Sequence, residues 1–213
     1  MSREEVLARV AAALEGAERT PLPDHRPAAP TGPADVADLF VERVEDYQAV
    51  VHRVDPADLP AAVAGALQGA ARIVVPPGLP PEWLSALDGV EVVADDPPVP
   101  ADDLDRVGAV VTAAAVGIAV TGTIVLDHGP DQGRRALTLV PDRHVCVVHE
   151  SQLVADVPGS TARLRDAVDD GRPLTWISGP SATSDIELER VEGVHGPRTL
   201  HVVLVGRELR SPT

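Results

Sequence analysis

The sequence predicts an α/β protein: an open, mainly parallel sheet covered by helices, with an N-terminal helical arm. Three observations carry this. From residue 35 onward, short Val- and Ile-rich runs alternate with segments of helical periodicity, as in a parallel sheet buried on both faces. The chain has 213 residues, 44% hydrophobic and 24% charged, enough for a full core without disulfide or metal staples. A stretch from Pro21 to Pro33 with five prolines and no apolar periodicity sets one helix apart from everything else. Residues 1–34 are therefore expected to be a helix and extended linker, and residues 35–213 the α/β domain.

In residues 3–18, Val6, Leu7, Val10 and Leu14 share one stripe of a helix. This detached helix suits a contact with a neighbour or with a second copy of the chain, so a homo-oligomer is one expectation. Residues 35–46 read as a helix and 47–54 as a strand. Pro56 opens a helix to about Ala71, because proline is well placed in the first turn. A strand Arg72–Val75, a short helix after Pro81, and strands Val90–Val93 and Ala109–Thr112 follow. The second half adds strands Ile118–Leu126 and His144–His149, a helix around Thr161–Val168 and a strand Leu174–Ser178. A helix near Asp185–Val191 and a strand Leu200–Val205 complete the order.

Composition removes much chemistry. All 18 basic residues are arginine and there is one cysteine, Cys146. A single cysteine forms no internal disulfide, no Cys-rich zinc site and no all-cysteine iron–sulfur cluster. Without lysine there is no Schiff base and no Walker-type phosphate loop. The formal net charge of −15 and only four aromatic residues argue against a nucleic-acid partner. The first twenty residues hold charges and no apolar signal core. Val107 to Leu126 is uncharged over twenty residues, but its glycines and threonines suit successive buried strands better than a membrane span. A cytoplasmic protein is the expectation. No His-x-x-x-His or similar spacing occurs, so no bound metal is expected.

In open α/β sheets ligands gather beyond the carboxyl ends of strands, and two segments qualify. In the first, Thr121-Gly122-Thr123 offers two hydroxyls and a glycine that admits close backbone approach; a bulge within a buried strand accounts for the same glycine. In the second, Ser178-Gly179-Pro180-Ser181-Ala182-Thr183-Ser184-Asp185-Ile186-Glu187 leaves a strand through a Gly-Pro turn and enters a helix. Ser184 and Glu187 fit a capping box, and a helix start flanked by hydroxyls also suits an anion. Thr121, Gly122, Thr123, Gly179, Ser181 and Thr183 are thus the candidate ligand-binding residues. His195, in Gly193-Val194-His195-Gly196-Pro197, is the candidate acid–base group, with Asp185 and Glu187 as candidate carboxylates; donation to the last carbonyls of the preceding helix is the simpler account of His195. The other histidines carry weaker signals, and Arg134-Arg135 suits either an acidic ligand or a solvated surface.

Thr121-Gly122-Thr123-Ile124-Val125-Leu126, Leu139-x-Pro141-x-x-His144, the Ser178–Glu187 segment and Gly193–Pro197 occur together in this order. This combination resembles the LutC/YkgG family of lactate-utilisation proteins, the LUD-domain family, over roughly residues 35–205. The resemblance implies a fold like that of the NagB/RpiA/CoA-transferase superfamily. It also implies a non-redox part in oxidising L-lactate to pyruvate beside partner proteins that carry iron–sulfur clusters, with no cofactor held by this chain. Many relatives have Ala-Glu-Thr-Gly-Thr, where this chain has Val120 in place of the glutamate. A stand-alone enzyme of the CoA-transferase or sugar-phosphate-isomerase type, and a purely structural or regulatory subunit, stay open as alternatives, as does whether this chain is itself catalytic.

Overall fold

The computed structural model describes residues 2–16, 32–180 and 196–206. Its centre is a six-stranded, all-parallel sheet built from β1 (Val50–Val54), β2 (Arg72–Val75), β3 (Glu91–Ala94), β4 (Ala109–Ala113), β7 (Arg143–His149) and β10 (Thr199–Val205), in the order β1-β10-β7-β4-β2-β3. The inner strands β4 and β7 are buried on both faces, whereas the edge strands β1 and β3 are largely solvated. That burial difference is why the inner strands read as continuous apolar runs.

One face is covered by α3 (Leu59–Ala66) and a 3-10 turn bearing Trp83, which pack on Ile73, Val75, Val111, Val145, Val147, Val203 and Val205. Arg143 donates to the carbonyls of Ala66 and Gln68 at the end of α3, at 3.1 and 2.9 Å, placing a cation at the helix C-terminus where the backbone dipole favours it. The predicted helix from Pro56 to Ala71 is shorter: a 3-10 turn Pro56–Asp58 leads into α3, which stops before Gly69 at φ +82°.

The opposite face carries α2 (Pro33–Asp46), whose Ala37, Phe40 and Val44 recur at helical spacing and are buried. Beside it lies a second, four-stranded sheet: β8 (Leu153–Val154), β5 (Val116–Ile118), β6 (Thr123–Leu126) and β9 (Thr175–Ile177), in that order. The single strand expected over Ile118–Leu126 is thus two antiparallel strands, β5 and β6, joined by a turn at residues 119–122. Gly122 makes that turn at φ +58°, and a Cβ there would stand 2.6 Å from the Arg43 backbone of α2, so only glycine fits. Ile124 and Leu126 face the main sheet, while Val116, Ile118 and Val125 pack against Leu164 between α5 (Val157–Arg163) and α6 (Arg165–Asp169). The helix expected around Thr161–Val168 is those two short helices, bent at Leu164.

α4 (Ala101–Leu104) covers the β2–β4 flank through Leu104. α1 (Arg3–Leu14) opens with a Ser2/Glu5 capping box and has no buried residue; most of the proline-rich stretch after it lies outside the described residues. No helix among the described residues is long and apolar enough to cross a membrane.

Candidate functional site

The crossovers change side between β2 and β4, where an open α/β sheet ordinarily leaves a crevice beyond its carboxyl ends. Here the chain fills that crevice itself. The loop after β6 lies across it, Ala113 donating to the carbonyl of Asp131 at 3.0 Å and Gly78 to that of Pro130 at 2.9 Å. Two ion pairs anchor its ends: Arg172 to Asp127 at 2.8 Å, and Arg134 to Asp95 at 2.7 and 2.9 Å. Burial pushes the Asp95 carboxyl up, but Arg134 and the Val99 N–H outweigh it and hold it below its ordinary value.

A polar cavity opens elsewhere, between β9, the turn at Arg135–Thr138 and the amino ends of β7 and β10. It measures about 270 Å³, and its described wall includes Arg135, Thr138, His144, Thr175, Ser178 and Gly179. This is slightly below the ~300–1,000 Å³ of sites for drug-sized molecules, a size for a small metabolite. β9 is an edge strand of its sheet, so alternate backbone groups along it are not used by β6. Arg135 is exposed at the rim and has no carboxylate partner among the described residues, whereas its neighbour Arg134 is consumed by Asp95.

The two segments singled out in the sequence meet here. Pairing of β6 with β9 sets Thr123 beside Ser178, their hydroxyls 2.8 Å apart. Gly179, at φ +88°, packs on Tyr47 at the end of α2, where a Cβ would come within 3.0 Å of the tyrosine Cβ. Gly179 lines the cavity; Thr121, Gly122 and Thr123 do not, and of these three Thr123 supports Ser178 from behind through its hydroxyl. The Thr121 hydroxyl is buried with no partner among the described residues. Val120 packs on the Val116, Ile118, Val125 and Leu164 cluster, off the cavity wall. Ser181, Thr183, Asp185, Glu187 and His195 lie outside the described residues.

Two histidines matter more than the sequence suggested. His128, at φ +56°, bonds the Gly133 carbonyl through Nδ1 at 2.7 Å and the Thr175 hydroxyl through Nε2 at 2.8 Å. The carbonyl can only accept, so Nδ1 carries a proton and donates it there. His144 is fully buried, and burial lowers its pKa to about 4, so it is neutral near pH 7. Its Nε2 lies 2.8 Å from the Thr112 hydroxyl, and its Nδ1 has no partner among the described residues. Burial pushes the neighbouring Cys146 thiol up to about 12, with the nearby Asp131 charge adding to it against a hydrogen bond from Thr112. Such a thiol is not a nucleophile. The signal for His144 in the sequence was its place at the head of an apolar strand; its partner Thr112 is 32 residues away and only the fold joins them.

Known proteins resemble this chain closely. A model of the LUD domain matches residues 101–205. The Lactate utilization protein C of Deinococcus radiodurans is 49% identical over 202 residues, covering 95% of this chain and 94% of that protein. The Lactate utilization protein C of Bacillus licheniformis is 31% identical over 102 residues, 46% of this chain and 42% of its own. Among solved structures, a DUF162 family protein from Deinococcus radiodurans superposes with a TM-score of 0.73 at 45% identity, over 83% of this chain and all of that one (100%).

Proposed function

This chain belongs to the LUD-domain family of lactate utilisation proteins, and from that premise we propose that it is the non-redox component of a system that oxidises L-lactate to pyruvate. The observation that carries the reading is the small polar cavity whose rim bears a guanidinium, that of Arg135, with no carboxylate partner among the described residues. Arg135 meets the ligand carboxylate, the charge match that planar guanidinium supplies best. Thr175 and Ser178, each already fixed by a partner, line the remainder, so the pocket is organised before the ligand arrives. Ser181 and Thr183, the hydroxyl residues that follow in the sequence, are our further candidates for holding the anion.

Oxidation of a hydroxy acid removes two electrons and two protons. One cysteine cannot supply the ligands of an all-cysteine cluster, so in this reading the electrons pass to the iron–sulfur partner proteins that the family resemblance implies. The chain's own work is to bind and orient the acid for them.

Isothermal titration and thermal shift of the purified chain test this. L-Lactate or pyruvate at a hundredfold excess over Kd should stabilise the fold by about 2.7 kcal/mol. The Ser181→Ala/Thr183→Ala double variant should bind more weakly with its fold intact. Arg135→Ala should lose about tenfold in affinity, roughly 1.4 kcal/mol. A response to coenzyme A esters or sugar phosphates alone would replace this reading with a stand-alone enzyme. Co-purification with iron–sulfur partners and no ligand response would replace it with a structural subunit.

A further inference from the structure

We infer that His144 sets the cavity's preference for a 2-hydroxy acid over the matching keto acid, its Nδ1 accepting the ligand hydroxyl; this rests on the carboxylate-binding reading above. The proton positions follow from the chain of contacts behind it. The Cys146 thiol has one proton, and the Ala113 carbonyl 3.7 Å away can only accept it. The sulfur then accepts from the Thr112 hydroxyl, 3.8 Å away. With its single proton turned to sulfur, the Thr112 oxygen accepts from His144 Nε2 at 2.8 Å. A neutral imidazole has one N–H, so Nδ1 is left as a bare lone pair. The opposite tautomer would bury an N–H with no acceptor, which is rarer and more costly than an unused lone pair.

Nδ1 is also the ring atom without a partner among the described residues, on a residue of the cavity wall. Buried polar atoms are almost always satisfied, so an orphan beside a cavity marks where a ligand or water belongs. A hydroxyl donates to that lone pair. A keto oxygen brings a second lone pair to the same place and is repelled. Arg135 sees a carboxylate in either case and does not discriminate. Thr112 and Cys146 act as positioning residues that fix the tautomer.

Titration calorimetry with the full chain compares L-lactate with pyruvate. The wild type should bind L-lactate at least about tenfold more tightly, because a site built to pair a hydroxyl rejects an analogue lacking it. The ratio should collapse toward one in His144→Phe. It should fall at least about threefold in Thr112→Val, which removes the hydroxyl that fixes the tautomer. Nitrogen NMR of the ligand-free, histidine-labelled protein gives a readout independent of affinity: Nδ1 of His144 should be unprotonated, and its signal should move when L-lactate is added. Equal or tighter pyruvate binding, a ratio unchanged in Thr112→Val, or a protonated Nδ1 overturns this inference alone. Failure of both acids to bind overturns the carboxylate reading and this inference with it.

Discussion

At the scale of single residues, the fold spends stability to keep His144 neutral. Its pKa of about 4 lies below the ordinary histidine value of 6.5, so between those values the unfolded chain binds more protons than the folded one. Stability is therefore full above about pH 6.5 and is lost as pH falls toward 4, by on the order of 3 kcal/mol. Urea midpoints at pH 7 and pH 4.5 check this, and a flat profile would contradict it. The Asp95–Arg134 pair works in a separate window. Its carboxyl is held below 3.8, so its contribution persists through this range and is lost only at lower pH. The paired arginines illustrate what a sequence hides: two adjacent, identical side chains, one locked by Asp95 and one at the cavity rim with no carboxylate partner among the described residues. Nothing local to Arg134-Arg135 separates them, because Asp95 is 39 residues away. His144 was underweighted for the same reason, since its meaning depends on Thr112 across the sheet.

At the scale of elements, the strong signals were legible. The strand Arg72–Val75 has the predicted bounds, and Ala109–Thr112 and His144–His149 differ by one residue, because buried parallel strands are written as unbroken β-branched runs. The smaller sheet was not anticipated. Its strands are two to four residues long, too short for alternation to declare itself. The run Ile118–Leu126 hid its turn because it holds no charge and no proline, and its two threonines are themselves common in strands. That turn is where sheet and helix lock together. Gly122→Ala, at positive φ and against the Arg43 backbone, should cost about 2 kcal/mol or more by chemical denaturation; a neutral result would contradict the close approach to α2. Thr123→Val tests the hairpin's link to the cavity. Losing the 2.8 Å bond to Ser178 should weaken L-lactate binding about threefold to tenfold while leaving the far-UV spectrum unchanged. Unchanged affinity would make the Thr123 contact a matter of packing alone.

Across the whole molecule, the predicted mainly parallel α/β architecture is the one observed, and the family read from four spaced motifs is the one the chain belongs to. The site's position was less legible. The general rule for open sheets directs attention to the carboxyl ends, and here the loop through Pro130 and Asp131 closes the crevice at the point where the crossovers change side. The polar cavity sits instead by the amino ends of β7 and β10, against the edge strand of a second sheet that the sequence did not announce. Central to the account is that this cavity receives the small carboxylate. The most direct measurement is a crystal structure of the chain soaked with L-lactate. Density for the acid with its carboxylate within hydrogen-bond reach of Arg135 and its hydroxyl on His144 is the result expected. Density in the groove at the carboxyl ends, formed by Arg53, Asp55, Asp58, Glu150 and Gly206, with none at Arg135, would contradict it.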